Sequence, residues 1–93
     1  MEPVKIPVDG VLDLHQFQPK ELYSLLGEYI RVCLAKGIFN LRIIHGRGKG
    51  IQRQRVRSFL EKHTEVLSFT DAPREAGGWG ATKVLLNHKP KEH

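Results

Sequence analysis

The stretch from Leu41 to Gln52, LRIIHGRGKGIQ, decides the predicted fold, because it passes from an apolar run through several glycines into a helical pattern. The apolar run ends at Ile44, and glycines occupy positions 46, 48 and 50. Glycine adopts positive φ without strain and lets another molecule approach the main chain closely. We therefore predict a strand, a glycine loop and a helix that begins at about Ile51.

The glycine loop has the features of an anion site. The helix that follows it points unpaired N–H groups and a positive dipole end toward the loop. Arg47 and Lys49 add two positive charges. A short turn needs only one such glycine, so bound phosphate accounts for Gly46, Gly48 and Gly50 better than the alternative, a tight solvated turn that is basic by coincidence.

Size and charge narrow the class of protein. The chain has 93 residues, which is enough for one domain, and a formal net charge of +5 with a pI near 9.7. An acidic partner is expected, with nucleic acid first and an anionic membrane surface second. Cys33 is the single cysteine, so no internal disulfide forms and a reducing compartment is favoured. Without a long apolar run or a signal-peptide pattern, we expect a soluble cytoplasmic protein with no membrane partner, monomeric by default.

Hydrophobic periodicity predicts elements in the order β-α-β-α-β-β. Residues 1–10 are predicted to form an extended arm, residues 11–87 the domain, and residues 88–93 a charged tail. The predicted strands are 11–15, 39–44, 66–70 and 81–86, and the predicted helices are 19–36 and 51–63. The core stripe of the first helix is Leu22, Leu25, Leu26, Tyr29, Ile30, Cys33 and Leu34. The second helix is predicted to bury Ile51, Val56, Phe59 and Leu60 and to expose Arg53, Arg57 and Lys62.

This order predicts an α/β fold, a two-layer βαβαββ sandwich. The strand–helix–strand connections make the first strands parallel, and the short link between the last two strands favours an antiparallel pair. Two helices cover one face of such a sheet, so they are expected to pack mainly on one face. The other face is then partly open, which would explain the polar residues Asp13, His15 and Arg42 within predicted strands.

Polar side chains are predicted to meet at one edge of this sheet. The first predicted strand ends at His15 and the second at His45, and the carboxyl ends of parallel strands share an edge. Asp13 and His15 are two residues apart and would share a strand face. Asp13, His15 and His45 are therefore the catalytic candidates beside the cationic loop. Together they could cleave a phosphodiester, with a histidine or Asp13 moving a proton, or Asp13 holding a divalent metal. Taken singly, Asp13, His15 and His45 each have a plain structural explanation.

The segment 71–80, DAPREAGGWG, is predicted to be a loop that contributes contacts. Arg74 is a candidate contact for nucleic acid, and so is Lys83 in the strand that follows. Trp79 would either stack on a base or cover the edge of the core. The chain lacks the spacing of a P-loop, of a dinucleotide site and of a zinc site, so no organic cofactor is expected.

Three stretches together resemble one family, the Smr (small MutS-related) domain. They are VLDLH at 11–15, IHGRGKG at 44–50 and GGWGATKV at 77–84. The resemblance covers about residues 10–87. It implies a βαβαββ sandwich that binds DNA or RNA and, in several members, an endonuclease that often uses a divalent metal such as Mg²⁺ or Mn²⁺. Carried over by position, Asp13 and His15 would be catalytic, and residues 45–48 would hold phosphate.

We therefore predict a nucleic-acid-binding Smr-like domain that acts as an endonuclease on DNA or RNA. Two alternatives stay open. One is a nucleic-acid-binding module without catalysis, which is favoured by Gln16 at the position where the family usually has glycine, and by the absence of a carboxylate pair. The other is a protein-interaction domain that uses the open sheet face.

Overall fold

A computed structural model of the chain describes residues 8–46 and 50–87. Three predicted phosphate contacts, Arg47, Gly48 and Lys49, lie outside the described residues. Most of the predicted arm (1–7) and the predicted tail (88–93) lie outside them as well.

The elements occur in the predicted order. The strands are β1 (Val11–Asp13), β2 (Asn40–Ile44), β3 (Val66–Asp71) and β4 (Ala81–Leu86), and the helices are α1 (Leu22–Lys36) and α2 (Ile51–Lys62). Short 3-10 turns cover Leu14–Gln16, Pro19–Glu21, Arg74–Ala76 and Gly78–Gly80. In the described part of the chain, neither helix has the length and apolar character needed to cross a membrane.

The four strands form one mixed sheet in the order β1-β2-β4-β3. β1 and β2 are parallel, and β4 is antiparallel to both β2 and β3. Both predictions, parallel first strands and an antiparallel final pair, are confirmed. The last strand in sequence therefore occupies a central position and joins β2 to β3.

Both helices pack on one face of the sheet, as predicted. The strand residues on this face alternate with exposed ones, because successive side chains in a strand point to opposite faces. The buried core consists of Leu12, Leu14, Leu22, Leu26, Tyr29, Ile30, Cys33, Leu41, Ile43, Val56, Leu60, Val84 and Leu86. Leu25, Leu34 and Phe59 are partly buried against it. The predicted core stripe of the first helix is therefore correct.

The ends of α1 follow local chemistry. The Glu21 carboxylate accepts the backbone N–H of Gln18 at 3.1 Å, which holds a 3-10 turn that begins at Pro19, so the α-helix starts one turn later than predicted. At the other end Gly37 has φ +76°, and the N–H of Ile38 donates to the carbonyl of Cys33 at 2.8 Å. This left-handed stop is the glycine ending that the sequence predicted.

Two predictions of detail were wrong. The first strand ends at Asp13 rather than His15, because the Asp13 carboxylate accepts the N–H of His15 at 2.9 Å and turns the chain out of the sheet. Ile51 does not face the core and is 55% exposed. At 3.6 residues per turn, Ile51 lies roughly 140° around the helix from Val56, which is buried, so it points away from the sheet.

The remaining element boundaries differ from the prediction by single residues. β2 begins at Asn40, α2 ends at Lys62, and β3 extends to Asp71. Such differences are expected where helices and strands end. They leave the predicted order of elements unchanged.

Candidate nucleic-acid interface and cleavage site

Parallel pairing of β1 and β2 brings the predicted site residues to one end of the sheet. The turn with His15 follows β1, and His45 and Gly46 follow β2. We call this group of residues, Asp13, His15, His45 and Gly46, the histidine edge. Because these residues come from two neighbouring strand ends, the convergence predicted from the sequence is correct for the described residues.

Asp13 and His15 form a hydrogen-bonded pair. The Asp13 Oδ1 lies 2.7 Å from His15 Nδ1 and also accepts the His15 backbone N–H at 2.9 Å. The prediction that the two residues share a strand face was wrong, because His15 lies in the 3-10 turn after β1. This turn folds the imidazole back onto the carboxylate. An ionised carboxylate only accepts hydrogen bonds, so Nδ1 carries the proton and Nε2 is left unprotonated in the neutral ring.

The charge of Asp13 supports this assignment. The backbone N–H of His15 is the main cause that lowers the pKa of the Asp13 carboxyl; burial partly opposes it, and the hydrogen bond and charge of the His15 side chain lower the pKa further. Asp13 is therefore ionised at neutral pH. The side chains of His15 and Asp13 are 61% and 48% exposed, so a substrate can reach them from solvent.

Gly46 leaves room for the His15 ring. It has φ +81°, and a Cβ atom at this position would lie 2.9 Å from His15 Nε2. Any side chain at position 46 would therefore meet the one ring nitrogen that has no proton. The first residue of the glycine loop therefore places backbone without a side chain beside His15 Nε2, at a positive φ that favours glycine.

His45 is held differently from His15. It is only 6% exposed, its Nδ1 lies 2.9 Å from the Gly46 carbonyl oxygen, and its Nε2 lies 2.8 Å from Thr82 Oγ1. A carbonyl only accepts, so Nδ1 donates to it and the Thr82 hydroxyl donates to Nε2. Burial lowers the pKa of His45, and the Gly46 carbonyl partly opposes this. The ring is therefore neutral at pH 7 with both nitrogens engaged, a geometry that suits holding the loop better than transferring protons.

The GGWGATKV stretch fixes the glycine loop from the other side. The carbonyl oxygen of Gly80 accepts the N–H of His45 at 3.0 Å and that of Gly46 at 2.9 Å. Gly77 has φ +114°, and a Cβ there would lie 3.0 Å from the Cβ of Ala81. The third motif thus supports the second through Gly80 and Thr82, although the two are far apart in sequence.

Replacing the Thr82 hydroxyl should destabilise the fold. Thr82→Val keeps the side-chain volume but leaves the buried Nε2 of His45 without its donor. An unsatisfied buried polar atom costs about 1–3 kcal/mol, and we expect that loss in the free energy of unfolding measured with urea. Thr70→Val, at an exposed position of β3, is the matched control and should change stability by less than about 0.5 kcal/mol. Equal stabilities of the two variants would contradict the structural role of Thr82.

His45 should also make the fold sensitive to mild acid. Its folded-state pKa lies below that of the unfolded chain, about 6.5. Below that value the unfolded chain takes up a proton that the folded chain does not, so stability falls as pH is lowered from about 7 to 5.5, with a slope of at most about 1.4 kcal/mol per pH unit. Urea unfolding of wild type and His45→Gln across this range tests the effect. The variant should lose stability at pH 7 but show a flatter pH dependence, and a parallel curve would contradict this origin.

Trp79 and Arg53 connect the loop before β4 to α2. The Arg53 guanidinium lies 4.7 Å from the centre of the Trp79 ring, and its nitrogens donate to the Asp71 carboxylate at 2.9 to 3.2 Å. A Cβ at Gly50, before α2, would lie 3.3 Å from the same ring. Trp79 is nevertheless 45% exposed. The ring therefore packs on the start of α2 and still offers surface for the predicted stacking on a base.

The prediction that Arg53 and Arg57 point into solvent was wrong. Both are partly buried, and both approach Asp71, with Arg57 Nη1 at 3.5 Å from Oδ1. Residues four apart lie on the same side of a helix, so one carboxylate at the end of β3 reaches both. Arg57 also lies over the Phe69 ring at 5.0 Å.

Two predicted contacts lie away from the histidine edge. Arg74 is exposed in the turn Arg74–Ala76, and Lys83 is exposed in β4 on the sheet face opposite the helices. Thr82, Gly80 and Asp71 were not singled out from the sequence. Thr82 carried a detectable signal, because it is the one polar residue on the strand face that also presents Val84 and Leu86. The hydrogen bonds of Gly80 and Asp71 depend on tertiary geometry and leave no local pattern.

Comparison with known proteins identifies the class. A family model described as the Smr domain matches residues 12–87. The chain belongs to the Smr domain family, a family of nucleic-acid-binding domains. The crystal structure of the Smr domain of Thermus thermophilus MutS2 is similar, with a TM-score of 0.78 and 35% identity, covering 86% of this chain and 98% of that one. YdaL, a stand-alone small MutS-related protein from Escherichia coli, has a TM-score of 0.78 and 31% identity, covering 88% of this chain and 67% of that one.

Several curated relatives carry the same name. Proteins named ribosome rescue factor SmrB from Aliivibrio fischeri and Vibrio cholerae are each 40% identical to this chain over 79 residues, or 85% of its length. The match covers 45% of the first relative and 42% of the second. The chain therefore spans less than half the length of these relatives.

Proposed function

We propose that this chain binds nucleic acid and cleaves its phosphodiester bonds, with His15 as the group that moves the proton. The observation that carries the proposal is the Asp13–His15 pair. It fixes the proton of the imidazole on Nδ1 and leaves Nε2 unprotonated beside Gly46. A carboxylate that orients a histidine and stabilises its cation is a recurring arrangement for general acid–base catalysis.

RNA is the substrate that best suits a site with a single general base, the Nε2 of His15. The 2′-hydroxyl of RNA is already tethered beside the phosphorus, so proximity lowers the barrier for its attack. Nε2 of His15 takes the 2′-hydroxyl proton, the 2′-oxygen bonds to phosphorus, and the bond to the 5′-oxygen breaks. The leaving oxygen takes a proton from solvent, and the products are a 2′,3′-cyclic phosphate and a 5′-hydroxyl. Asp13 stabilises the His15 imidazolium that forms.

The name of the curated relatives supports RNA as the target. Proteins called ribosome rescue factors are 40% identical over most of this chain. A role near ribosomes would place the chain in the cytoplasm, in agreement with its sequence-based assignment. Arg47, Gly48 and Lys49 are proposed phosphate contacts on sequence grounds, Gly50 and Trp79 on their position beside the start of α2, and Arg74 on its exposed charge.

A divalent metal such as Mg²⁺ or Mn²⁺ fits the described residues poorly. Asp13 is the one carboxylate at the histidine edge, and its Oδ1 already accepts two hydrogen bonds from His15. Within residues 8–46 and 50–87, no group of three or more histidine, cysteine, aspartate or glutamate side chains could hold an ion. The proposed mechanism therefore contains no metal ion. Whether cleavage requires one is tested by the experiment below.

The test uses RNA, DNA and an RNA with one 2′-deoxy position, each offered as single-stranded and stem-loop forms. Cleavage of RNA in the presence of EDTA, with a cyclic phosphate end and no reaction at the 2′-deoxy position, is the expected result. Cleavage of DNA, or activity only with Mg²⁺ or Mn²⁺, would overturn the proposed mechanism while keeping the nuclease. Salt-sensitive binding without cleavage would leave a nucleic-acid-binding module, and partner binding without nucleic-acid affinity would favour a protein-interaction domain.

A further inference from the structure

The sheet face opposite the helices carries a row of four side chains that are neighbours across the strands. Val11 pairs with Arg42, Arg42 with Lys83, and Lys83 with Thr70. Their alternate neighbours, such as Leu41 and Val84, are buried beneath the helices. We call this face the open face. Val11, Lys83 and Thr70 are exposed and Arg42 is partly buried.

The row places two positive charges directly opposite each other. Arg42 and Lys83 are register partners on β2 and β4, and like charges at such positions destabilise a sheet. Neither forms an ion pair with another described residue. Arg42 donates from Nη1 to the carbonyl of Ala76 at 3.3 Å, and its buried Nε has no hydrogen-bond partner within residues 8–46 and 50–87. The pair therefore concentrates positive charge that is not offset by an ion pair within the described residues. One carboxylate, Asp9, lines a depression together with both residues, and its Oδ1 accepts the N–H of Val11.

The surface around this pair is concave. Two depressions of about 280 and 270 Å³ lie next to this pair, and Asn40 and Lys83 line both of them. Arg42 lines the first, and Ser68 and Thr70 line the second. Hydroxyl, amide and cationic groups thus follow one another across the face, and such groups are the side chains that contact nucleic-acid phosphates.

We infer that the open face binds a backbone phosphate of the substrate strand, next to the phosphate that is cleaved, through Arg42 and Lys83. The inference rests on the proposed function. Asp13 lies on the same face as Val11 and two residues further along β1, so the row of charges is about 6.6 Å along the strand direction from the Asp13 row. A strand held at His15 therefore continues across β1 and β2 toward Lys83.

The chemistry of the open face favours a nucleic acid over a protein partner. In the row from Val11 to Thr70 there is no carboxylate, and the one large apolar side chain, Val11, is 37% exposed. Protein interfaces are enriched in aromatic residues at their centre. None stands in this row, and Phe69, which lines the second depression, is partly buried against the core. A polyanion gains from both charges and from the hydroxyl of Thr70.

Lys83→Gln is the variant that tests the inference, and Lys36→Gln is its control. Both lysines are exposed and both changes remove one positive charge, but Lys36 ends α1, outside the row. Binding is measured against salt with a non-cleavable single strand that carries 2′-deoxy positions. For Lys83→Gln we expect affinity to fall about threefold to tenfold at low salt and the salt slope to fall by about 0.7, the value for one phosphate contact. Lys36→Gln should bind as wild type does.

A second variant tests the contribution of Arg42. Arg42→Gln combined with Lys83→Gln should lower the salt slope by about 1.4, or two contacts. Because Arg42 is partly buried, thermal unfolding of this double variant is measured first. If it does not fold, Lys83→Gln alone decides, since Lys83 is exposed.

The outcomes separate this inference from the proposed function. If wild type binds and cleaves RNA but Lys83→Gln and Lys36→Gln have equal affinities and slopes, the open face is not part of the site and the cleavage proposal stands. If wild type binds without cleaving and Lys83→Gln still lowers the slope, the open-face site stands and the nuclease proposal fails. If wild type binds no nucleic acid, both are overturned.

Discussion

Asp13→Asn is expected to lower the single-turnover rate of RNA cleavage by about 10²–10⁴-fold, the usual contribution of a positioned proton-transfer group. The amide that replaces the carboxylate carries no charge to stabilise the His15 imidazolium. It can also donate to Nδ1, which would put the ring proton on Nε2, where the proposed base must be free. His15→Ala should lose rate to a similar extent, because it removes the proposed base.

The aspartate experiment has a close control within the same chain. Asp9 Oδ1 accepts the backbone N–H of Val11 at 3.0 Å, as Asp13 accepts that of His15, but Asp9 holds no imidazole. Asp9→Asn should therefore cleave at the wild-type rate. Circular dichroism must show Asp13→Asn folded, because Asp13 also forms the 3-10 turn, and binding to the non-cleavable strand should be nearly unchanged. A folded Asp13→Asn protein that cleaves as fast as wild type would remove Asp13 from the mechanism.

Gly46→Ala is expected to reduce cleavage by about 100-fold, because a new Cβ would lie 2.9 Å from His15 Nε2 and displace the ring. A misplacement of 1 Å in a catalytic group can cost that much in rate. The positive φ of +81° should also cost about 1–2 kcal/mol of stability. These two effects must be separated.

Gly37→Ala separates them. Gly37 has φ +76°, almost the same as Gly46, but a Cβ there meets nothing within 4 Å. Both variants should therefore lose similar stability in thermal unfolding, and only Gly46→Ala should lose rate. Equal rates in the two variants would show that the space beside Nε2 is not needed for catalysis.

Most of the fold could be predicted from the sequence because it follows from side-chain periodicity. The apolar stripe of α1 and the strand β4, whose predicted bounds agree with the structure, are set by repeating contacts with the core. The end of β1 could not be predicted, because the apolar–polar alternation of a strand continues to His15. The hydrogen bond that Asp13 accepts from the His15 N–H nevertheless turns the chain out of the sheet. The burial of Ile51 was predicted wrongly for a related reason. The sequence shows where α2 lies along the chain, but not how the helix is rotated about its axis against the sheet, so it does not show that Ile51 points away from the core.

The sequence could predict that the site residues lie at one end of the sheet, but not which hydrogen bonds they form there. The parallel pairing of β1 and β2 brings His15 and His45 to the same end of the sheet, independently of the contacts of their side chains. Their difference in burial, with His45 only 6% exposed, depends on Thr82 in a strand 37 residues later. The opposition of Arg42 and Lys83 likewise depends on the register between β2 and β4, which the sequence of either strand does not contain.

The central place of β4 has a consequence for how the protein is made. During synthesis β1, β2 and β3 precede β4, yet β3 pairs within the sheet only with β4, and the Gly80 carbonyl that holds His45 and Gly46 comes just before it. A nascent chain that stops short of residue 80 therefore has Asp13 and His15 but no support for the loop beside them. Synthesis of β4 therefore completes the sheet and the histidine edge in the same step, and a chain that lacks β4 does not present the assembled edge.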